Sequence, residues 1–268
     1  MRYRRRMLRG FESRAVSAEG FTRTVHFKGE GPGVLVIHEI PGITPEVAHF
    51  AERVIERGYR VAMPELFGEA GRPFSYGYMA KEMAASACVR REFSVLARRR
   101  SSPITHYLRA LCRELHAECG GTGVGAVGMC LSGNFALSLM VDPSVMAPVL
   151  SQPSLPLGIT RSHRRALHVT DDDLACIKKR VERRETRVLG LRFHDDPLCP
   201  PERFERLREE LGEGFEGIEL RQGERNPASV TPVAHSVLTQ ELVDEEGHPT
   251  RAALDRVLAF FDQHLRAA

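Results

Sequence analysis

Short apolar runs alternate along the chain with longer segments of mixed polarity, a rhythm that predicts strands alternating with helices. The first clear run, GVLVIHE over Gly33 to Glu39, has the length and β-branched content of a buried strand. Pro41-Gly42 interrupts it, and Thr44 stands where it can cap a helix with Pro45 at its first position, running to about Arg57. YRVAMPEL then returns as a short buried strand, so strand, helix and strand form a unit that requires a right-handed parallel crossover. The same rhythm predicts helices over Met79 to Ala97 and Pro103 to Cys119, a strand over Val124 to Gly128 and a helix just after Cys130. MAPVLSQ, RVLGLRF and FEGIELR read as further strands. Helices follow over Asp171, as cap, to about Arg184, over Pro201 to Leu211, and over Thr250 to Arg266 behind Pro249. The expected fold class is therefore α/β, with a mostly parallel central sheet covered by helices on both faces.

A chain of 268 residues suits one large domain of this kind, expected over residues 21–268. Its least regular part is a helical section around 68–119, which opens with the Gly/Pro/Tyr-rich GEAGRPFSYGYMA. Residues 1–20 read as a basic N-terminal arm and a candidate for disorder. The formal charge of +3 resides there: without Arg2, Arg4, Arg5, Arg6 and Arg9 it falls to −2. The folded body is thus nearly neutral, and no nucleic-acid partner is expected. No apolar run approaches the roughly eighteen residues a membrane-spanning helix needs, so no membrane partner is expected either. Cys88, Cys112, Cys119, Cys130, Cys176 and Cys199 show no C-x-x-C pair and no zinc-like spacing. With no apolar export signal in MRYRRRMLRG, they are expected to be reduced thiols in a cytoplasm, with no metal or cofactor.

The chemistry concentrates in VGMCLSGNFALSLM. Gly128 and Ser132 lie two residues either side of Cys130, the small-residue spacing of the nucleophile turn in α/β hydrolases, and Gly133 relieves crowding where the helix starts. Such a turn puts a thiol at a helix N-terminus, where backbone N–H groups favour a thiolate and a developing oxyanion. Free cysteine is also among the most buried residue types, so the motif alone leaves a small apolar core residue open. Taking Ser132 as the nucleophile instead would put Cys130 and Asn134 at the flanking positions, a poorer fit. The partners decide. The order of this superfamily is nucleophile, acid, histidine. HDDPLCP supplies Asp196 at the end of a strand, with Asp195 as its competitor, and TPVAHSVLTQEL supplies His235. His248, in EEGHPT, sits at a helix start and reads as a capping residue; His38 and His194 are taken as structural.

With these residues in order, the chain resembles the dienelactone hydrolase family of α/β hydrolases, which use a Cys-His-Asp triad. The resemblance is carried by VLVIHEIPGITPEVAHFAERVIERGYRVAMPELFG, VGMCLSGNFAL, DPLCP and AHSVLT, and covers most of the chain after the first thirty residues. It implies Cys130 as nucleophile, His235 as general base and acid, and Asp196 as the group orienting the imidazole. It further implies a thiol-activating role for Glu39, and an oxyanion hole from the backbone N–H groups of Ile40 and Leu131. Two positions depart from the family. Ser132 replaces a common second glycine, and Thr239 stands where an arginine, four residues after the histidine, helps hold the substrate carboxylate. Ser236 and Thr239 are expected substrate contacts, and Arg90 and Arg91 are candidates to replace the missing guanidinium.

The expected function is cofactor-free hydrolysis of a small-molecule lactone or activated ester through an acyl-thioester intermediate. The alternatives are a catalytically silent binding protein of the same fold, an acyltransferase or a thiol-based redox role using the same cysteine.

Overall fold

The computed structural model describes residues 7–85 and 101–266. Its eight strands form one sheet: β1 (Glu12–Ala18), β2 (Phe21–Lys28), β3 (Gly33–Ile37), β4 (Arg60–Pro64), β5 (Val124–Met129), β6 (Val145–Ser151), β7 (Val188–Phe193) and β8 (Phe215–Leu220). Their order across the sheet is β1-β2-β4-β3-β5-β6-β7-β8. From β4 to β8 all neighbours pair in parallel, whereas β1 and β2 form an antiparallel hairpin joined antiparallel to β4. Every residue of β3, β5 and β7 is buried, as strands covered on both faces require.

Eight helices follow, among the described residues: α1 (Pro45–Glu56), α2 (Tyr76–Ala85), α3 (Ile104–Cys119), α4 (Gly133–Leu139), α5 (Arg161–Arg165), α6 (Asp171–Glu182), α7 (Pro201–Leu211) and α8 (Pro249–Leu265). One apolar core joins α1 and α8 to one face of the sheet, and a second joins α3, α4, α6 and α7 to the other. The fold is thus the expected α/β class, a mostly parallel sheet with helices on both faces.

Two differences from the sequence reading have physical causes, and a third is a shifted helix start. Residues 12–18, read as part of a free arm, form the edge strand β1; Glu19 and Gly20 both adopt positive φ, which makes the tight hairpin turn to β2. The helix expected from Asp171 is capped instead by Thr170, whose extended backbone lets its hydroxyl accept from Asp173 N–H at 3.0 Å. The three aspartates then occupy the first turn, where the helix dipole favours them. The helix expected over Met79 to Ala97 begins at Tyr76, and its part beyond Ala85 lies outside the described residues, as do Cys88, Arg90 and Arg91.

Candidate active site

Strand β5 delivers the chain to Cys130 at the C-terminal edge of the sheet, the edge where parallel α/β sheets present their loops for chemistry. Cys130 adopts φ 54°, a left-handed conformation uncommon for a side chain other than glycine, before a single 3-10 turn leads into α4. Its neighbours explain how the turn closes. A Cβ on Gly128 would meet the Ser132 carbonyl oxygen at 2.1 Å, and one on Gly133 would meet Pro153 Cα at 2.4 Å. Both positions therefore exclude any larger residue. The Cys130 carbonyl accepts from Ser154 N–H at 2.9 Å, and the thiol is only half-buried.

The buried Ser132 hydroxyl binds the turn to the neighbouring strand. Its oxygen accepts from Met129 N–H at 2.9 Å, and its proton lies within reach of the carbonyls of Ile37 at 2.9 Å and His38 at 3.1 Å. A glycine there would leave those contacts unmade.

The loop after β7 carries two aspartates in opposite environments. Asp195 is exposed and pairs with His194 at 2.8 Å. Asp196 is 2% exposed, accepts from Leu198 N–H at 2.9 Å through Oδ1, and accepts from His235 Nδ1 at 2.7 Å through Oδ2. His248, by contrast, caps α8, its Nδ1 taking Thr250 N–H at 3.3 Å. With Nδ1 committed to Asp196, the other nitrogen of His235, Nε2, is buried without a hydrogen bond of standard geometry. Burial pulls the imidazole's basicity down, but the neighbouring Cys130 and the Asp196 carboxylate outweigh it and hold its pKa well above the usual value.

Glu39 lies two residues past the end of β3 and is 3% exposed. Oε1 accepts from the Thr239 hydroxyl; Oε2 accepts from Ser236 Oγ at 2.7 Å and Gln152 Nε2 at 3.1 Å. Burial raises its pKa above the ordinary carboxyl value, with these three neutral donors and His235 working against the shift. Ser236 and Thr239, expected as substrate contacts, thus have their hydroxyls turned to Glu39. Thr239 also lines a groove of about 600 Å³ whose walls include Pro45, Phe74, Val230, Glu46 and Asp244.

Gln152 was not singled out by sequence reasoning. It takes a positive φ of 33° just past β6, and its Oε1 accepts from the Ser151 hydroxyl and from Val237 N–H at 3.3 Å. Two fully buried arginines also escaped notice. Arg192 spans the Asp196 loop, donating to the carbonyls of His194 at 2.5 Å and Cys199 at 2.9 Å. Arg203 donates to Pro153 O at 2.5 Å and Pro156 O at 2.7 Å, bracing the segment behind the nucleophile turn. A lone arginine inside the apolar run VLGLRF was the available signal for the first.

Among the described residues no group of three or more His, Cys, Asp or Glu is placed to hold a metal ion, and no helix is long and apolar enough to cross a membrane. The model of the dienelactone hydrolase family matches residues 21–166, more than half of the chain. The chain belongs to the dienelactone hydrolase family. A "Putative carboxymethylenebutenolidase" of Saccharomyces cerevisiae is 25% identical over 176 residues, covering 63% of this chain but only 59% of its own length. Among solved structures, a dienelactone hydrolase-like promiscuous phosphotriesterase from metagenomic libraries superposes with a TM-score of 0.64 at 17% identity, covering 96% of this chain and 100% of that one. A dienelactone hydrolase from Anabaena variabilis gives 0.58 at 15% identity, covering 96% and 100%. These structures share the α/β-hydrolase fold with this family member.

Proposed function

We propose that the protein hydrolyses lactones or activated esters through Cys130, His235 and Asp196. The observation that carries this reading is the imidazole held by Asp196 at 2.7 Å on Nδ1, with Nε2 left for the half-buried Cys130. His235 takes the thiol proton, and the thiolate adds to the acyl carbon. Negative charge on the former carbonyl oxygen faces the backbone N–H groups of Ile40 and Leu131, where each preorganised donor is worth about 3 kcal/mol. Collapse expels the alkoxide, which takes the proton from His235, and leaves an acyl-thioester. Water, deprotonated by the same imidazole, then adds to the thioester and releases the acid with the thiolate. A thiolate is itself a good leaving group, so substrates need a strained or activated ester.

Mixing the protein with p-nitrophenyl acetate tests this. The expected result is a stoichiometric burst of p-nitrophenolate and one acetyl group on the peptide containing Cys130. A folded protein that releases no p-nitrophenolate above the uncatalysed rate, or one acetylated elsewhere, overturns the reading.

A further inference from the structure

His38 is a fully buried histidine that the reaction scheme leaves unused. Leu66 N–H donates to its Nε2 at 3.0 Å, so that nitrogen carries no proton, and the proton must reside on Nδ1. Nδ1 lies 3.0 Å from the carbonyl oxygen of Glu39 and therefore donates to it. Gly42 N–H holds the same oxygen at 2.8 Å. Burial lowers the pKa of His38 to about 4, which keeps the ring neutral and this donor pattern intact near neutral pH. The ring is packed edge-on against Phe67, with centroids 4.5 Å apart.

The Glu39 carbonyl and the Ile40 N–H belong to one planar peptide and point in opposite directions, so anchoring the oxygen fixes where the N–H points. The preceding peptide, through the His38 carbonyl, is within reach of the Ser132 proton at 3.1 Å, and Ser132 belongs to the turn that carries Leu131. We propose that His38 is a positioning residue for the oxyanion hole: its Nδ1–H aims the Glu39–Ile40 peptide, and Ser132 locks that segment to the cysteine turn so that the two N–H donors form one rigid pair. This rests on the hydrolase reading above.

Two substitutions separate aiming from mere anchoring. An asparagine amide reaches about as far as Nδ1, and a glutamine amide about as far as Nε2. His38→Asn can keep the donor to Glu39 and loses the acceptor for Leu66; His38→Gln does the reverse. The readouts are the acylation rate in the p-nitrophenyl acetate burst, KM, and the rate of Cys130 alkylation by iodoacetamide, which forms no oxyanion. His38→Gln is expected to slow acylation about 10- to 100-fold, since the donor is misaimed rather than removed. KM and alkylation should stay within about threefold. His38→Asn should retain acylation within about fivefold. A folded His38→Gln with wild-type acylation, or a folded His38→Asn that is the slower of the two, overturns the proposal. If His38→Gln does not fold, loss of acylation in folded His38→Asn still does so. A folded wild-type protein that releases no p-nitrophenolate above the uncatalysed rate overturns the hydrolase reading and this inference together.

Discussion

The cysteine turn and the surroundings of Glu39 lie side by side but are built in different ways. The turn closes through its backbone: within six residues, Gly128 packs against the Ser132 carbonyl, Gly133 packs against Pro153, and Cys130 takes a left-handed φ. The carboxylate of Glu39 is held by side chains from two other loops, with Gln152 113 residues away in sequence, Ser236 197 and Thr239 200. A locally built site separates geometry from chemistry, because the reactive side chain can change while the backbone stays. A site assembled over distance has its geometry in the very side chains that set its electrostatics.

That contrast is broken most directly at the turn. Cys130→Ala is expected to lower turnover by about a thousandfold or more while leaving Tm nearly unchanged, since the methyl group fills the same conformation. Gly128→Ala should instead cost about 3 kcal/mol or more of stability, through the clash with the Ser132 carbonyl. Thermal melts and steady-state rates on the two variants decide the matter; a stable Gly128→Ala protein would mean that the closure is looser than described.

The acid loop gives the next largest effect. Asp196→Asn leaves a neutral amide against His235 Nδ1 and should reduce kcat by about 10³-fold or more, whereas exposed Asp195→Asn should change it by less than about threefold. The reverse ranking in kcat would move the acid to Asp195.

Around Glu39 the expected effect is on stability. Its folded pKa is raised above its ordinary value, chiefly by burial. A raised carboxyl binds its proton more tightly in the folded state than in the unfolded chain. Its contribution to stability is therefore full below the ordinary carboxyl pKa and is lost as pH rises through the folded value. Glu39→Gln removes that loss. Its Tm relative to wild type should improve from pH 5 to pH 8, by about 2–4 °C for each 1 kcal/mol recovered. A difference that is flat or falls with pH would show that the three donors already hold the charge as well as water does.

The same contrast explains what could be read from the sequence. Apolar runs and turn residues are local, so the core strands and the helices after Thr44 and Pro200 were legible within a few residues. So was the spacing around Cys130, since it records backbone closure. The pairing of Asp196 with His235, hydrogen-bonded at 2.7 Å, was reachable through chain order and strand ends. The hairpin of β1 and β2 was hidden under the arginine-rich start, although Glu19-Gly20 is the kind of turn pair that announces one. Gln152, and the turning of Ser236 and Thr239 toward Glu39, were not legible: polar residues in loops carry no period, and only folding brings the three to one carboxylate.

The smallest effect concerns substrate charge. At the position where the resemblance implies an arginine, this chain has Thr239, and its hydroxyl is already given to Glu39. The groove reaching Thr239 includes the acids Glu46 and Asp244 in its lining, and no arginine or lysine among its described residues. A substrate carboxylate entering there would lose hydration without gaining a guanidinium, and a single neutral hydroxyl does not replace a bidentate clamp. The chain is therefore expected to show little preference, less than about threefold in kcat/KM, for a carboxylated lactone over its neutral methyl ester. Low ionic strength should leave that small difference nearly unchanged, because Asp244 is already paired with His49, Arg53 and Arg251 and presents no free charge to an anion. The measurement is kcat/KM for the pair at two salt concentrations. A strong preference for the carboxylate that weakens with added salt would refute the neutral-groove reading and place a cation over the site, with Arg90 and Arg91 the first residues to replace.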